Sequence, residues 1–388
     1  MKRIYLDHGA SMPMDARVLE AIKEHMVEDF GNPSSLHTEG RTGRKLVEKA
    51  RESVANLIGA EDKQTVIFTS GATESNNLAI RGTAHRNKNK GNHIITSAIE
   101  HMSVMNPCKD LQKEGFEVTF VPVDKDGLVD PEKIKEAITD KTILISLMYA
   151  NGEIGTIEPI REIGEIAKDK GIYFHSDCVA AEGHIPLDVQ KGNIDLLTLS
   201  SNELYGPRGI GALYIKKGVK IQPVMYGGGQ ERGLRSGTEN LYAIIGMGKA
   251  AEFAKKEMVN EAERLKELRD KLIEGILENI EEAYLTGHRT KRLGNHASFR
   301  FSYIEGESII LNLDMEGIAA STGSACTSKT LEPSHVLLAL GLKHEEAHGS
   351  LVLTLGRGNT EEDIDKVLEV VPNVVQKLRE MSPLYKKK

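Results

Sequence analysis

The sequence has only three cysteines, Cys108, Cys178 and Cys326. They lie too far apart for the CxxC spacing of a zinc site and are too few for a disulfide framework. Cys108 and Cys178 stand beside apolar residues, which predicts that they are small buried side chains. Cys326 lies in STGSACTSKT, a small-residue stretch with a glycine that indicates a loop. A thiol there would be exposed and mobile, so Cys326 is the cysteine singled out for chemistry.

Long apolar runs and an excess of basic charge are also missing. No window approaches the roughly 18 consecutive apolar residues of a membrane span. The N-terminus, MKRIYLDHGASMP, has no apolar segment of the kind that directs secretion. The net charge is -7, which does not favour a nucleic-acid partner. We therefore expect a cytoplasmic protein that binds neither membranes nor nucleic acid.

The 388 residues, 39% of them hydrophobic, suit one large domain and a smaller one. Short apolar runs alternate with helical patterns, which predicts a mostly parallel sheet covered by helices on both faces. The predicted strands are QTVIFTS, NHIITSAI, FEVTFVPV, TILISLMYA, GIYFHSD, IDLLTLS and IGALYI. From Asn240 to about Ile280 the chain has no proline and predicts one long helix.

Beyond that helix, the pattern changes to a smaller α+β unit. Its predicted elements are the strand HASFRFSYI, a helix over GESIILNLDMEGI, the strand LVLTLGR and a closing helix from Thr360. We assign residues 15–255 to the large α/β domain. Residues 1–14 and 256–388 are assigned to the small α+β domain, which carries the Cys326 loop.

Polar residues follow several of the predicted strands, at the edge where a parallel sheet binds its ligands. GATESNNLAI reads as a glycine turn and a helix start, whose free backbone N–H groups and Thr73 hydroxyl suit a phosphate. A capped helix without a ligand is the alternative. Asp177 ends the strand IYFHSD, where a carboxylate would keep a ring nitrogen protonated. His101 follows another strand, and a purely structural histidine is its alternative.

In order and spacing, these segments resemble the NifS/IscS group of cysteine desulfurases, which are pyridoxal-phosphate (PLP) enzymes. The resemblance covers essentially the whole chain. The segments that carry it are FGNPSSLH, TSGATESNN, IEHMSV, FHSD, GGGQERGLRSGTEN and STGSACTS. It implies a PLP-dependent transferase fold of the aspartate aminotransferase type. That fold has a large domain with a mostly parallel seven-stranded sheet and a small α+β domain.

The resemblance also implies a role for particular residues. His101 would stack on the cofactor ring, Asp177 would pair with the ring nitrogen, and Cys326 would take sulfur as a persulfide. Thr238 of the partner subunit would help to hold the phosphate, so the resemblance implies an obligate homodimer. The implied cofactor-binding residues are Ala72, Thr73, Asp177, Ser200, Ser201, Asn202 and Thr238.

The chain departs from the family pattern within this site. The family's SSHK reads SSNE, so Glu203 stands at the position of the Schiff-base lysine and Asn202 at that of a histidine. Ala180 replaces a glutamine, Gly152 an asparagine, and Val352 an arginine that would clamp the substrate carboxylate. A carboxylate cannot form an aldimine. These changes predict a pocket unfit for desulfuration, in which Glu203 is a tolerated residue on a polar loop.

Two functions of different classes follow, and the sequence leaves open whether the chain is an enzyme. In the first, the homodimer docks an IscU-type scaffold as a heterotetramer. Cys326 then carries persulfide sulfur or ligates a [2Fe–2S] cluster shared with that scaffold. The second is an active L-cysteine desulfurase that forms L-alanine and an enzyme persulfide, with its PLP held non-covalently. PLP is thus the family cofactor, although the substitutions oppose its binding.

Overall fold

The computed structural model describes residues 3–323 and 333–385. Its strands are β1 Ile4–Tyr5, β2 Val66–Thr69, β3 His93–Ser97, β4 Glu117–Val121, β5 Thr142–Ser146, β6 Tyr173–Asp177, β7 Leu196–Ser200, β8 Gly211–Ile215, β9 Ala283–Leu285, β10 His296–Phe301, β11 Ile318–Ala319 and β12 Ser350–Thr354. Its helices are α1 Ala16–Lys23, α2 Thr38–Leu57, α3 Ala72–Asn87, α4 Met102–Lys113, α5 Pro131–Ala137, α6 Ile160–Lys170, α7 Leu241–Asn279, α8 Gly306–Met315, α9 His335–Ala339, α10 His344–Ala347 and α11 Glu361–Met381.

The large sheet contains the seven predicted strands in the order β2-β8-β7-β6-β5-β3-β4. Strand β8 runs antiparallel to both of its neighbours, and every other pairing is parallel. Alternate residues of β2 enter different apolar clusters, with Ile67 on one face and Phe68 on the other. Because both faces of the large sheet are buried, apolar residues follow one another without interruption along each strand. The predicted α/β fold is confirmed.

The long helix α7 connects two hydrophobic cores. Its first turns place Met247 and Ala251 in the core of the large sheet. Its later turns place Leu272 and Ile276 in a second core. The predicted helix is therefore confirmed, and Asn240 caps it by accepting a hydrogen bond from the Ala243 N–H at 3.3 Å. The domain boundaries assigned from the sequence stay a prediction.

The second core lies in the predicted α+β unit. A three-stranded sheet has the order β12-β10-β9, and both pairings are antiparallel. Helices α8 and α11 supply apolar side chains to the same core, including Leu313 and Val371. Strand β1 pairs in parallel with β11, where Ile4 lies opposite Ile318. The first residues of the chain therefore pack with elements from its last third.

Two of the three cysteines are unreactive core residues, as predicted. Cys108 and Cys178 are free and fully buried. Burial raises the pKa of Cys108 to about 12 and that of Cys178 well above its usual value, so both stay neutral thiols. Cys326 lies outside the described residues. Within residues 3–323 and 333–385, the structure contains no helix that is long and apolar enough to cross a membrane.

Candidate functional site

The polar residues predicted from the strand ends lie along one edge of the large sheet. Asp177 is the last residue of β6, and Ser200 is the last residue of the adjacent parallel strand β7. Two antiparallel pairings through β8 make β2 parallel to β7, so Gly71 follows β2 at this same edge. His101 follows β3 and begins α4. Parallel topology is thus what gathers residues from four distant segments.

The turn after β2 forms an open helix start. Gly71 precedes α3 with a φ of +151°, a conformation that favours glycine. No side chain caps this helix. Ala72 is half-buried and Thr73 is exposed in the first turn, which leaves backbone N–H groups and a hydroxyl available to an anion. Nearby, Glu74 accepts a hydrogen bond from the Ser70 N–H at 2.7 Å.

A hydrogen-bonded chain connects Asp177 with His101. Asn76 Nδ2 donates to Asp177 Oδ2 at 2.7 Å and to Ser103 Oγ at 2.8 Å. Since Ser103 Oγ accepts from Asn76, its proton is directed to His101 Nδ1, 2.8 Å away. The His101 proton therefore resides on Nε2, and the ring itself is exposed.

Asp177 is buried, and its burial raises the pKa of the carboxyl group. Hydrogen bonds from the Val179 N–H, at 3.1 Å, and from Asn76 oppose that rise. An electrostatic contribution from the nearby His101 acts in the same direction as these bonds. A protonated ring nitrogen placed against Asp177 would complete the neutralisation of a carboxylate that the fold holds away from water.

Glu203 does not lie on a polar loop, and that expectation is wrong. It is only 7% exposed, in the helical turn Asn202–Leu204 after β7. Asn202 Nδ2 donates to Glu203 Oε1 at 2.8 Å. Burial raises the pKa of Glu203 to about 8, so the group is mostly protonated at neutral pH. The tertiary fold encloses this turn, which polarity alone did not indicate.

A second carboxyl group, Glu182, accompanies Glu203. It is fully buried, and its Oε1 accepts a hydrogen bond from the Ser200 N–H at 2.6 Å. Its Oε2 is buried with no hydrogen-bond partner among the described residues. Burial is the main reason that the pKa of Glu182 is raised well above its usual value, and Glu203 and Asp177 add to the rise. Both glutamates are thus buried, and burial favours their neutral forms.

The other positions at which the sequence departs from the family pattern, Gly152, Ala180 and Val352, lie in two separate places. A Cβ added at Gly152 would lie 3.6 Å from the Ala180 side chain, so these two small residues adjoin. Val352 is buried in β12, where its N–H and C=O bond to the backbone of Ser321 at 2.8 and 3.2 Å. Ser201 is buried and its Oγ has no hydrogen-bond partner within the described part of the chain.

Thr238 lies in the segment 227–240. Its side chain is exposed. Within the same segment, Arg235 Nε contacts Glu74 Oε1 at 3.0 Å, which ties the segment to the first turn of α3. The predicted contribution of Thr238 to a partner's site stays a prediction.

Sequence reasoning did not identify Asn76, Ser103 or Glu182. Glu182 had a signal, because a charged residue in DCVAAEG lies among small apolar residues just after a strand. Nothing in the sequence indicated Asn76 or Ser103, because what matters is their hydrogen bonding to residues far away in the chain. Asn76 and Asp177 are 101 residues apart.

A phosphorylated pyridine cofactor fits part of this site. The open α3 start suits its phosphate and the buried Asp177 carboxyl suits its ring nitrogen. The turn after β7 consists of Asn202, Glu203 and Leu204, none of which carries an amine.

Comparison with known proteins gives a consistent result. Residues 4–367 match the family Aminotransferase class-V. The chain is 58% identical to "Cysteine desulfurase IscS 1" of Archaeoglobus fulgidus over 99% of this chain and 100% of that protein. It is 56% identical to "Cysteine desulfurase IscS" of Methanosarcina thermophila over 100% of this chain and 95% of that protein. A solved structure of a NifS-like protein superposes with a TM-score of 0.91 at 36% identity, covering 97% of this chain and 100% of the other.

Proposed function

Because the chain belongs to the class-V aminotransferase family, and within it to the cysteine desulfurases of the IscS/NifS group, we propose that it serves iron–sulfur cluster assembly through the Cys326 thiol. In this proposal Cys326 ligates a [2Fe–2S] cluster held by a scaffold protein, or takes the outer sulfur of a donor persulfide, whose thiolate leaves, and carries that sulfur to the cluster. A thiolate is the preferred protein ligand of such clusters. A scaffold that supplies three ligands leaves one iron position for Cys326.

The observation that carries this proposal is the buried Glu203 carboxyl in the turn after β7. In the proposed variant, Glu203 occupies the place of the aldimine lysine. Glu182, which accepts a hydrogen bond from the Ser200 N–H, is a second buried carboxyl group near the end of β7. Neither side chain forms a covalent link to an aldehyde, so the sulfur function is assigned to the loop thiol and not to the pocket.

The alternative, L-cysteine desulfuration with non-covalent PLP, is not favoured. The open α3 start and Asp177 support cofactor binding. Substrate binding lacks a cation at position 352, where the buried valine cannot pair with a carboxylate. A cytoplasmic location stays a prediction of the sequence.

We also propose that the functional unit is a homodimer that docks an IscU-type scaffold. Support for the dimer comes from exposed apolar side chains on two neighbouring segments, Val27, Phe30 and Leu36 on one and Tyr226 on the other. Support for a separate docking surface comes from the small α+β unit. There Leu311 and Met315 of α8 are 65% and 73% exposed, and Met381 at the end of α11 is 74% exposed.

The experiment tests Cys326 as a cluster ligand. The protein is mixed anaerobically with its IscU-type scaffold, iron and sulfide. Size-exclusion chromatography with iron quantification should then show a complex that retains a [2Fe–2S] cluster. Cys326→Ser should leave docking largely intact and make the cluster labile, because the change deletes a ligand and not an interface. Cys108→Ala, which alters a buried thiol, is the control. Equal cluster retention by wild type and Cys326→Ser would remove the ligand role.

A further inference from the structure

The turn between β3 and α4, residues 98–101, carries the His101 ring and is held by elements from distant parts of the chain. Ile99 belongs to an apolar cluster with Met148, which follows β5, and with Leu337 of α9. Each of these three side chains is buried. The turn and the short helix α9 therefore share one apolar cluster.

Hydrogen bonds to Ile99 and Glu100 add to this packing. Glu100 is fully buried, and its Oε1 accepts from Ser97 Oγ at 2.6 Å and from the Met148 N–H at 3.1 Å. Asn151 Nδ2 donates to the Ile99 carbonyl at 2.9 Å. These contacts tie the turn to the end of β3 and to the segment after β5.

The backbone carbonyl of Glu100 has its partner in α9. His335 is the first residue of that helix, and its Nε2 lies 2.9 Å from this carbonyl oxygen. A carbonyl oxygen only accepts, so Nε2 carries the proton and donates it. Within residues 3–323 and 333–385, no other donor is hydrogen-bonded to this oxygen. Because Glu100 is fully buried, the loss of His335 would leave a buried acceptor unpaired.

This carbonyl belongs to the same peptide unit as the backbone nitrogen of His101. Because a peptide unit is planar and rigid, a hydrogen bond to its oxygen also fixes the direction in which the His101 backbone begins. The His101 ring has an anchor of its own, since its Nδ1 accepts from the Ser103 N–H at 3.1 Å and lies 2.8 Å from Ser103 Oγ. The two anchors together define where the His101 ring lies.

We propose that His335 is a positioning residue for His101. Its hydrogen bond to the Glu100 carbonyl fixes the peptide from which the His101 ring projects. The ring thereby keeps its Nδ1 against Ser103 and its proton on Nε2. The proposal goes beyond the proposed function and is independent of Cys326, because it concerns only the placement of the His101 ring.

Two variants of nearly equal shape separate the hydrogen bond from the packing of this side chain. His335→Met removes the donor, whereas His335→Gln retains an amide that donates to the Glu100 carbonyl. His344→Phe, at an exposed histidine of α10, is the control. Thermal unfolding checks that each variant is folded, and His335→Phe takes the place of His335→Met if the latter does not fold.

The first measurement is the long-range proton–nitrogen NMR spectrum of the full-length protein with isotope-labelled histidine, at about pH 8, well above the usual histidine pKa. The His101 signals are identified by their loss in His101→Gln. Wild type, His335→Gln and the control should each show one His101 tautomer, with the proton on Nε2. His335→Met should shift these signals toward the average of the two tautomers, because the ring is no longer held against Ser103.

The second measurement is hydrogen exchange of the backbone amides of residues 102–105, at the start of α4, followed by mass spectrometry. We expect these amides to exchange roughly tenfold or more faster in His335→Met than in wild type, as the loss of a buried hydrogen bond implies. His335→Gln and His344→Phe should exchange as wild type does.

A lower melting temperature of His335→Met, with the His101 tautomer and the exchange rates unchanged, would make His335 a purely structural residue and overturn the proposal. Equal behaviour of His335→Gln and His335→Met would overturn it as well, since the donor would then not be the cause. Neither outcome bears on cluster retention, which tests Cys326.

Discussion

At the scale of single residues, Glu203 has the largest consequence for function. In the proposed variant a carboxyl stands in place of an amine, and the fold buries that carboxyl. Wild type incubated with PLP should therefore show no internal-aldimine absorbance band, and borohydride should trap no adduct. The absorbance spectrum of the wild-type protein is the reference for the Glu203→Lys variant.

Glu203→Lys should restore an aldimine band only in part. A lysine at position 203 would face Glu182, and an ionised partner would raise the lysine pKa and reduce the neutral amine that attacks an aldehyde. The double change Glu203→Lys with Glu182→Gln should give a stronger band at pH 7. Absorbance after PLP addition, with mass spectrometry of the reduced adduct, measures both. A full band in the single variant would show that Glu182 does not act on this position.

At the scale of secondary-structure elements, one buried ion pair connects a helix, a strand and a loop. Arg51 of α2 donates to both carboxylate oxygens of Glu231, at 2.7 and 2.8 Å. Glu231 Oε2 also accepts from the Phe68 N–H of β2 at 2.8 Å, and Arg51 donates to the Val66 carbonyl. Glu231 belongs to the segment 227–240, so this pair holds that segment against the large sheet.

Glu231→Ala should destabilise the protein by about 3–5 kcal/mol, since it leaves the Arg51 charge buried and unpaired. Urea unfolding followed by circular dichroism measures the change in free energy of unfolding. The control is Glu136→Ala, which breaks the exposed pair with Lys133 at 2.9 Å and should cost less than about 1 kcal/mol. Similar losses of unfolding free energy in the two variants would mean that the Arg51–Glu231 pair does not stabilise the position of the segment 227–240.

At the scale of the whole molecule, one group of exposed apolar side chains lies near the segment that Arg51 anchors. Val27, Phe30 and Leu36 are 82%, 71% and 82% exposed, and Tyr226 is 76% exposed. A cavity of about 200 Å³ lies between Pro33 and Ser34 on one side and residues 229–232 on the other, so the two segments adjoin. A surface of this kind is typical of a protein interface, and a second copy of the chain is the proposed occupant.

Phe30→Asp should convert the proposed dimer to monomers, because it places a charge in the centre of an apolar interface. Multi-angle light scattering at several protein concentrations gives the mass in solution. Leu311→Asp, on α8 of the small unit, is the matched control and should leave the mass unchanged. A wild type that is monomeric at every concentration would refute the dimer itself.

The sequence by itself determined the elements of this fold and the edge where its site lies. Seven apolar runs predicted seven strands, and a proline-free stretch predicted α7, because burial on both faces and helical periodicity leave local signatures. The sequence also predicted that Asp177 and His101 lie at this edge of the sheet, since parallel strands bring their carboxyl ends to a common edge.

Only the tertiary structure decided what surrounds those residues. The burial of Glu203 and Glu182, and the hydrogen-bonded chain from Asp177 through Asn76 to Ser103, depend on how distant segments are placed. Sequence patterns report the period and polarity of neighbouring residues. They do not report which side chain from another strand or helix stands opposite, and that contact determines whether a carboxyl group is a solvated surface residue or a buried acid.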